Sequence, residues 1–211
     1  MNSVCNVPQT LRSCAFAALA LWVGACAKDK DRIHVVRVSV PEQQLAVYKL
    51  GQEVARYRIS TSKFGLGDTP GSNCTPLGKL EIAEKIGAGA PLGMKFKSRR
   101  PSGEIVPINA PGRDPIVTRI LWLRGLEQQN ANAFKRMIYI HGTPEEARLG
   151  VPSSFGCIRM RSEDVVALYD RLGNGAEVEI ATTKLPKVTV PDKVIVKSEG
   201  ISAQARVTSQ R

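Results

Sequence analysis

Histidine is nearly absent: the 211-residue chain has two, and aromatics make up only 5% of it. Two histidines exclude arrays of Cys2His2 zinc fingers, and so few aromatics argue against a surface on which nucleic-acid bases stack. Acidic residues are also scarce, at 19 against 30 basic ones, which gives a formal net charge of +11. That excess favours an anionic partner. No apolar run reaches the roughly 20 residues needed to span a bilayer as a helix. What the chain does have is an apolar fraction of 43%, enough for a core, and a length that suits one domain with appendages. It also has five cysteines, an odd number, so at least one thiol must have a fate other than an internal disulfide.

The first 27 residues read as an export leader. Arg12 is the only charge before Lys28, and Cys14 to Val23 is an apolar stretch rich in Ala and Leu. A weakly positive start, a short apolar run and small residues after it describe a secretory signal. The segment Val23-Gly24-Ala25-Cys26 resembles a bacterial lipobox, which implies lipidation of Cys26 and a membrane anchor. Ala25-Cys26-Ala27 alternatively fits an ordinary A-x-A cleavage site. Ala27, where no Asp stands, implies outer-membrane sorting by the same resemblance. Cys5 and Cys14 leave with such a leader, so Cys74 and Cys157 remain for the folded domain. Residues 28–32 are charged and read as a tether. Residues 182–211 read as a basic, partly disordered tail that suits an anionic envelope polymer or simply solvent.

Between them, 33–181 reads as one mainly β domain. Val36, Val38 and Val40 alternate with polar residues; Leu45 and Val47 repeat the period before a Leu50-Gly51 turn; Val54 to Ile59 is a third run. Residues 62–78 carry four glycines and two prolines, the mark of a long functional loop. Strand character returns at Leu80 to Ile86, Met94 to Phe96, Ile116 to Leu123, Arg136 to Ile140 and Ala176 to Ile180, with a Pro/Gly loop at Gly103 to Pro115. One helix is clear: Ser162 as N-cap, then Val165, Leu168, Tyr169 and Leu172 on one face, stopped by Gly173. A shorter helix is expected within Gln128–Lys135.

Two loop segments carry the chemistry. His141 ends an apolar strand in Tyr139-Ile140-His141-Gly142-Thr143-Pro144, and Cys157 lies sixteen positions later in Ser153-Ser154-Phe155-Gly156-Cys157-Ile158-Arg159-Met160. A cysteine needs a base or a positive neighbour to act as a thiolate near neutral pH, and an imidazole is the usual partner. His34 is the only alternative and sits beside the tether. Residue types alone fit equally a small core cysteine and a structural histidine.

The pattern around them resembles the signature of the L,D-transpeptidase catalytic (YkuD) family: His-Gly-Thr, a spacer of this length, then Ser-x-Gly-Cys followed by Ile-Arg. Ser60-Thr61-Ser62, Thr75-Pro76-Leu77-Gly78 and Leu45-Ala46-Val47-Tyr48 extend the resemblance, which runs from about Ile33 to Ile180. It implies a β-sandwich or capped barrel with a short helix after the cysteine, and an acyltransferase acting on peptidoglycan stem peptides in the periplasm without metal, cofactor or nucleic acid. Cys157 is then the nucleophile, His141 its base and the Gly142 carbonyl the orienting group. The Cys157 N–H, with Gly156, serves the oxyanion. Thr143, Ser154 and Arg159 are carried over as substrate contacts, with Arg159 pairing a stem-peptide carboxylate or, alternatively, an ordinary surface acid. Phe155 stands where the family often has a second histidine. A hydrolase using the same pair and a non-catalytic wall-binding lipoprotein are the competing readings. Cys74 is expected to be free, with a bridge to Cys157 as the alternative.

Overall fold

The computed structural model describes residues 29–112 and 114–186. The leader with Cys5, Cys14 and the lipidation candidate Cys26 lies outside the described residues, as does the tail beyond Pro186. Ten strands form one sheet: β1 (His34–Ser39), β2 (Gln44–Lys49), β3 (Gln52–Ser60), β4 (Gly78–Ile86), β5 (Met94–Lys97), β6 (Arg100–Ile105), β7 (Val117–Gly125), β8 (Tyr139–Gly142), β9 (Ile158–Met160) and β10 (Glu177–Ala181). The single α-helix among the described residues, α1 (Ser162–Arg171), follows β9. Eight of the strands run β4-β10-β1-β2-β3-β9-β8-β7, and β7 pairs back onto β4, so the sheet closes into a barrel. The expected mainly β architecture is therefore present in its barrel form, with the one helix after the cysteine. The β5–β6 hairpin hangs from β7 through the Lys95–Val117 pairing.

Alternation builds this barrel. Successive side chains in a strand point to opposite faces. Register aligns Val47, Val36 and Val178 in one row across β2, β1 and β10, and Leu45, Val38 and Ile180 in the next. All six are essentially buried. The β2–β3 turn is Leu50-Gly51, both with positive φ (50° and 84°), the backbone that two-residue hairpin loops require. Helix α1 lays Val165, Leu168, Tyr169 and Leu172 on the same core, against β7 and β8. Each such side chain, fully buried, contributes about 1.5–3 kcal/mol relative to exposure.

Several local expectations change. β6 occupies 100–105, where a loop was expected from Gly103; every residue of it is exposed, so no apolar alternation marks it. β8 starts at Tyr139 rather than Arg136, because Met137 takes a positive φ of 59° and turns the chain first. The helix within Gln128–Lys135 is a three-residue 3-10 turn, Gln128–Asn130. Ser162 is the first residue of α1 and not its cap, since its hydroxyl is shared with Thr118 Oγ1 at 2.8 Å; Arg161 holds the cap position. Lys30 and Asp31, expected in a free tether, are bound to the barrel. Asp31 accepts the Gly173 N–H at 2.8 Å and Lys30 reaches Glu81 at 3.4 Å.

Candidate active site

β8 and β9 are parallel neighbours in the barrel, with Ile140 opposite Ile158, His141 opposite Arg159 and Gly142 opposite Met160. Their inward residues, Ile140, Ile158 and Met160, belong to the main core. By alternation Tyr139, His141 and Arg159 then point outward, and so does Cys157, one residue before β9. That places His141 and Cys157 on one face of adjacent strands, a diagonal step apart. The outward face is itself covered. Phe96, Ile120 and Tyr139 form a second apolar cluster against which Trp122 and Cys157 pack.

His141 is 4% exposed. Its Nδ1 lies 2.8 Å from the Gly142 carbonyl. A carbonyl can only accept, so Nδ1 carries the hydrogen and Nε2 keeps the lone pair. Burial pushes the imidazole below its ordinary pKa; the Gly142 carbonyl and the Asp114 charge pull it back up, and Arg159 lowers it further. Gly142 must be a glycine. A Cβ there would stand 2.7 Å from the Val117 carbonyl oxygen.

Cys157 is a free, partly buried thiol. It donates to the Met137 carbonyl at 3.5 Å and receives the Tyr139 N–H at 3.4 Å. Burial in the apolar cluster pushes its pKa up to about 11, against the opposing pull of the Tyr139 N–H and the Arg136 charge. At neutral pH these shifts keep the thiol protonated and favour the uncharged imidazole. Gly156 holds a φ of 119°, a region closed to side-chain-bearing residues without strain. Its N–H donates to Ser154 Oγ at 3.2 Å, and its carbonyl accepts Thr75 Oγ1 at 3.0 Å. Ser154 Oγ in turn donates to the Cys157 carbonyl at 2.6 Å. Ser154 is 2% exposed, and its hydroxyl is used within the turn that presents Cys157.

Thr143 and Arg159 are likewise displaced from their expected roles. Thr143 is fully buried, donates to Asp114 Oδ1 and accepts the Glu145 N–H at 3.0 Å. The Arg159 side chain is 2% exposed; its Nη atoms donate to Asp114, to Glu145 at 3.0 Å and to Ser153 Oγ, while its buried Nε has no partner among the described residues. This is a buried ion cluster and not a surface ion pair. Desolvating three charges is tolerable only because each is paired. Asp114 and Glu145 are site residues that sequence reading passed over; they sit in loops with no periodicity or spacing to mark them. Asp114, Glu145 and Arg159 line a cavity of about 460 Å3, together with Lys63, Arg148 and Phe155. Among the described residues no cluster of three His, Cys, Asp or Glu side chains is placed to hold a metal ion.

His34 is elsewhere, at the start of β1, with Nδ1 on the Asp31 carboxylate at 2.9 Å. Cys74 is also free, its thiol donating to the Phe64 carbonyl at 3.2 Å. No disulfide joins it to Cys157 in this structure.

Comparison with known proteins places this geometry. The family model for the L,D-transpeptidase catalytic domain (YkuD) matches residues 33–180. A probable L,D-transpeptidase ErfK/SrfK of Escherichia coli K12 is 37% identical over 57 residues, 27% of this chain and 18% of that protein. Its YbiS counterpart from the same strain is 33% identical over 57 residues, 27% of this chain and 19% of the relative. The aligned stretch therefore spans under a fifth of the length of these curated relatives. Among solved structures, L,D-transpeptidase 3 from Mycobacterium tuberculosis is 18% identical with a TM-score of 0.47, covering 71% of this chain and 61% of its own. An L,D-transpeptidase LdtMt1 solved with imipenem is 18% identical with a TM-score of 0.46, covering 71% and 59%.

Proposed function

The chain belongs to the L,D-transpeptidase catalytic domain family, and from that premise we propose that it is a cysteine-dependent acyltransferase acting on peptidoglycan stem peptides in the bacterial envelope. One observation carries the reading: His141 and Cys157 share the outward face of adjacent strands, with the imidazole pinned through Nδ1 so that Nε2 is the basic nitrogen.

The resting charges dictate the order of events. A thiol with a pKa near 11 is almost wholly protonated at neutral pH. The proton must move as substrate arrives. The thiol turns from the Met137 carbonyl toward Nε2, and a substrate that fills the site brings the two into hydrogen-bond range. Cys157 Sγ attacks the carbonyl between the third residue of the stem peptide and its terminal D-Ala while His141 takes the thiol proton. The imidazolium formed is held by the Gly142 carbonyl and favoured by the Asp114 charge. The Cys157 N–H serves the oxyanion, since the Gly156 N–H is already given to Ser154. Collapse breaks the C–N bond, His141 returns its proton to the leaving amine, and a thioester remains. An acceptor amine attacks next, His141 takes one of its protons, and the thiol is regenerated as the new amide forms.

In this reading Ser154, Thr75 and Gly156 hold the nucleophile's turn, and Thr143 and Arg159 hold Asp114 beside the imidazole. A lipid on Cys26 would anchor the enzyme to the membrane, and the basic tail would face anionic envelope polymer. The test is mass spectrometry of the protein exposed to a stem tetrapeptide with a labelled amine. The expected result is an acyl adduct on Cys157 and a product carrying the label. A reduced Cys157 that stays unmodified sinks the proposal, and a product that incorporates only water assigns hydrolysis.

A further inference from the structure

The cavity beside Phe155 has an uneven charge ledger. Among the described residues, two acids, Asp114 and Glu145, and three bases, Lys63, Arg148 and Arg159, line it. Arg159 holds Asp114 and Glu145, and Arg148 approaches Glu145 at 3.3 Å. Both acids are therefore taken by arginines. Lys63 is left over: among the described residues no carboxylate lies within 4.0 Å of it.

Its ammonium rests instead on two aromatic faces. Nζ is 4.5 Å from the Phe155 ring centroid and 5.2 Å from that of Phe64. The rings contact each other at 5.3 Å between centroids. Phe155 is 63% exposed and Phe64 49% exposed. Two neighbouring phenyl rings left in water carry a hydrophobic cost that nothing in the barrel offsets. They do hold a cation, and a cation over a ring face keeps its N–H donors for a further partner. The place is fixed by backbone. The Lys63 N–H donates to the Ser154 carbonyl at 3.1 Å, so this lip runs along the segment that ends in Gly156 and Cys157.

We propose that Lys63, held over Phe64 and Phe155 at the mouth of this cavity, is the binding site for a free carboxylate of the peptide substrate. The inference rests on the reading that Cys157 works on stem peptides. It supplies the recognition that sequence reading assigned to Arg159, whose guanidinium is already engaged by Asp114 and Glu145. It also gives Phe155 a role: an aromatic there seats the ammonium, which a second imidazole would repel once protonated. The cavity, about 460 Å3, is large enough for a peptide residue. A stem peptide offers two kinds of free carboxylate, one at its C-terminus and one on an internal residue, and both present the same chemistry to an ammonium.

The experiment reads binding apart from catalysis. Calorimetry on the Cys157→Ala chain compares a tetrapeptide as the free acid, with its terminus amidated, and with its internal carboxylate amidated. The free acid is expected to bind roughly tenfold more tightly than one of the amides, as one charge-assisted hydrogen bond allows. Whichever amidation removes the preference identifies the carboxylate. Adding Lys63→Met brings the ratio to within about twofold and Lys63→Arg preserves it, and added salt shrinks it only where the cation is present. Equal binding of all three peptides, or an undiminished preference in Lys63→Met, overturns the proposal. Cys157 in the unsubstituted protein is assayed separately for an adduct. A missing adduct with the carboxylate preference intact would remove the nucleophile assignment and leave the Lys63 site standing.

Discussion

The loop over residues 61–77 and the loop over 143–157 are built alike, and they differ in the one respect that matters for chemistry. Each contains a free cysteine, and each is tied down by a buried arginine. Arg136, its side chain 8% exposed, donates to Asp68 at 2.7 Å and to the Gly67 and Cys74 carbonyls at 3.0 and 2.7 Å. Arg159 plays the same part for the second loop, gripping Glu145 within it and Asp114 from a loop earlier in the chain. Cys74 lies against a backbone carbonyl with no imidazole among its recorded partners. Cys157 precedes a strand whose parallel neighbour carries His141 on the same face. A glycine-rich loop and a cysteine are common to both; strand register is what separates them, by choosing which thiol shares a face with an imidazole.

The largest test of that contrast is chemical. Cys157→Ala is expected to abolish acyl-adduct formation, a loss on the order of 10^3-fold or more in turnover. Cys74→Ala should still form the adduct, as read by intact mass. If Cys74 carries the acyl group instead, the two loops have been assigned the wrong way round.

A second test compares the arginines by urea unfolding. Arg159→Met strands Asp114 and leaves Glu145 with only the exposed Arg148, and a loss of about 3 kcal/mol or more is expected. Arg136→Met strands one carboxylate, Asp68, which keeps the Asn132 N–H at 2.6 Å, and two backbone carbonyls, so its loss should be the smaller of the two. A change below about 0.5 kcal/mol in Arg159→Met, the scale of an ordinary surface substitution, would show that the buried ion cluster is not holding the second loop.

The gentlest test is pH. Because burial lowers the His141 pKa in the folded protein, the unfolded chain takes up a proton first as pH falls below about 6.5, and stability declines from there toward the lower folded value. Because burial raises Cys157, the unfolded thiol ionises first as pH rises, and stability declines from the ordinary thiol range toward pH 11. Melting temperatures across the range should show both slopes. His141→Gln should remove the acid one and Cys157→Ala the alkaline one. The acid limb of kcat/KM should likewise fall below the ordinary imidazole value, since only neutral His141 accepts the thiol proton.

Much of this was legible in the residues. Alternating valines mark β1, and Val165, Leu168, Tyr169 and Leu172 mark α1, because burial of one face writes a period into the sequence. The His141-Gly142 and Gly156-Cys157 segments stand out through their resemblance to the family signature, since residue types alone fit a structural pair as well. β6 left no trace, because a hairpin strand exposed on both faces has no apolar period to show. Asp114 and Glu145 were invisible for a related reason. A loop carboxylate looks the same whether it is solvated or clamped on a buried guanidinium, and the difference is made by chain segments about 45 and 14 residues away.

The sequence alone therefore determined which residue types could do chemistry and roughly which strands would carry them, since propensity, period and spacing are local properties. Tertiary structure decided the rest: which of two thiols shares a strand face with the histidine, which nitrogen of His141 is basic, and that Arg159 is held by Asp114 and Glu145 while, among the described residues, Lys63 has no carboxylate. Those outcomes depend on closure of the barrel. Pairing β7 back onto β4 fixes the register of β8 and β9, and desolvation and charge pairing follow from that register rather than from any single residue.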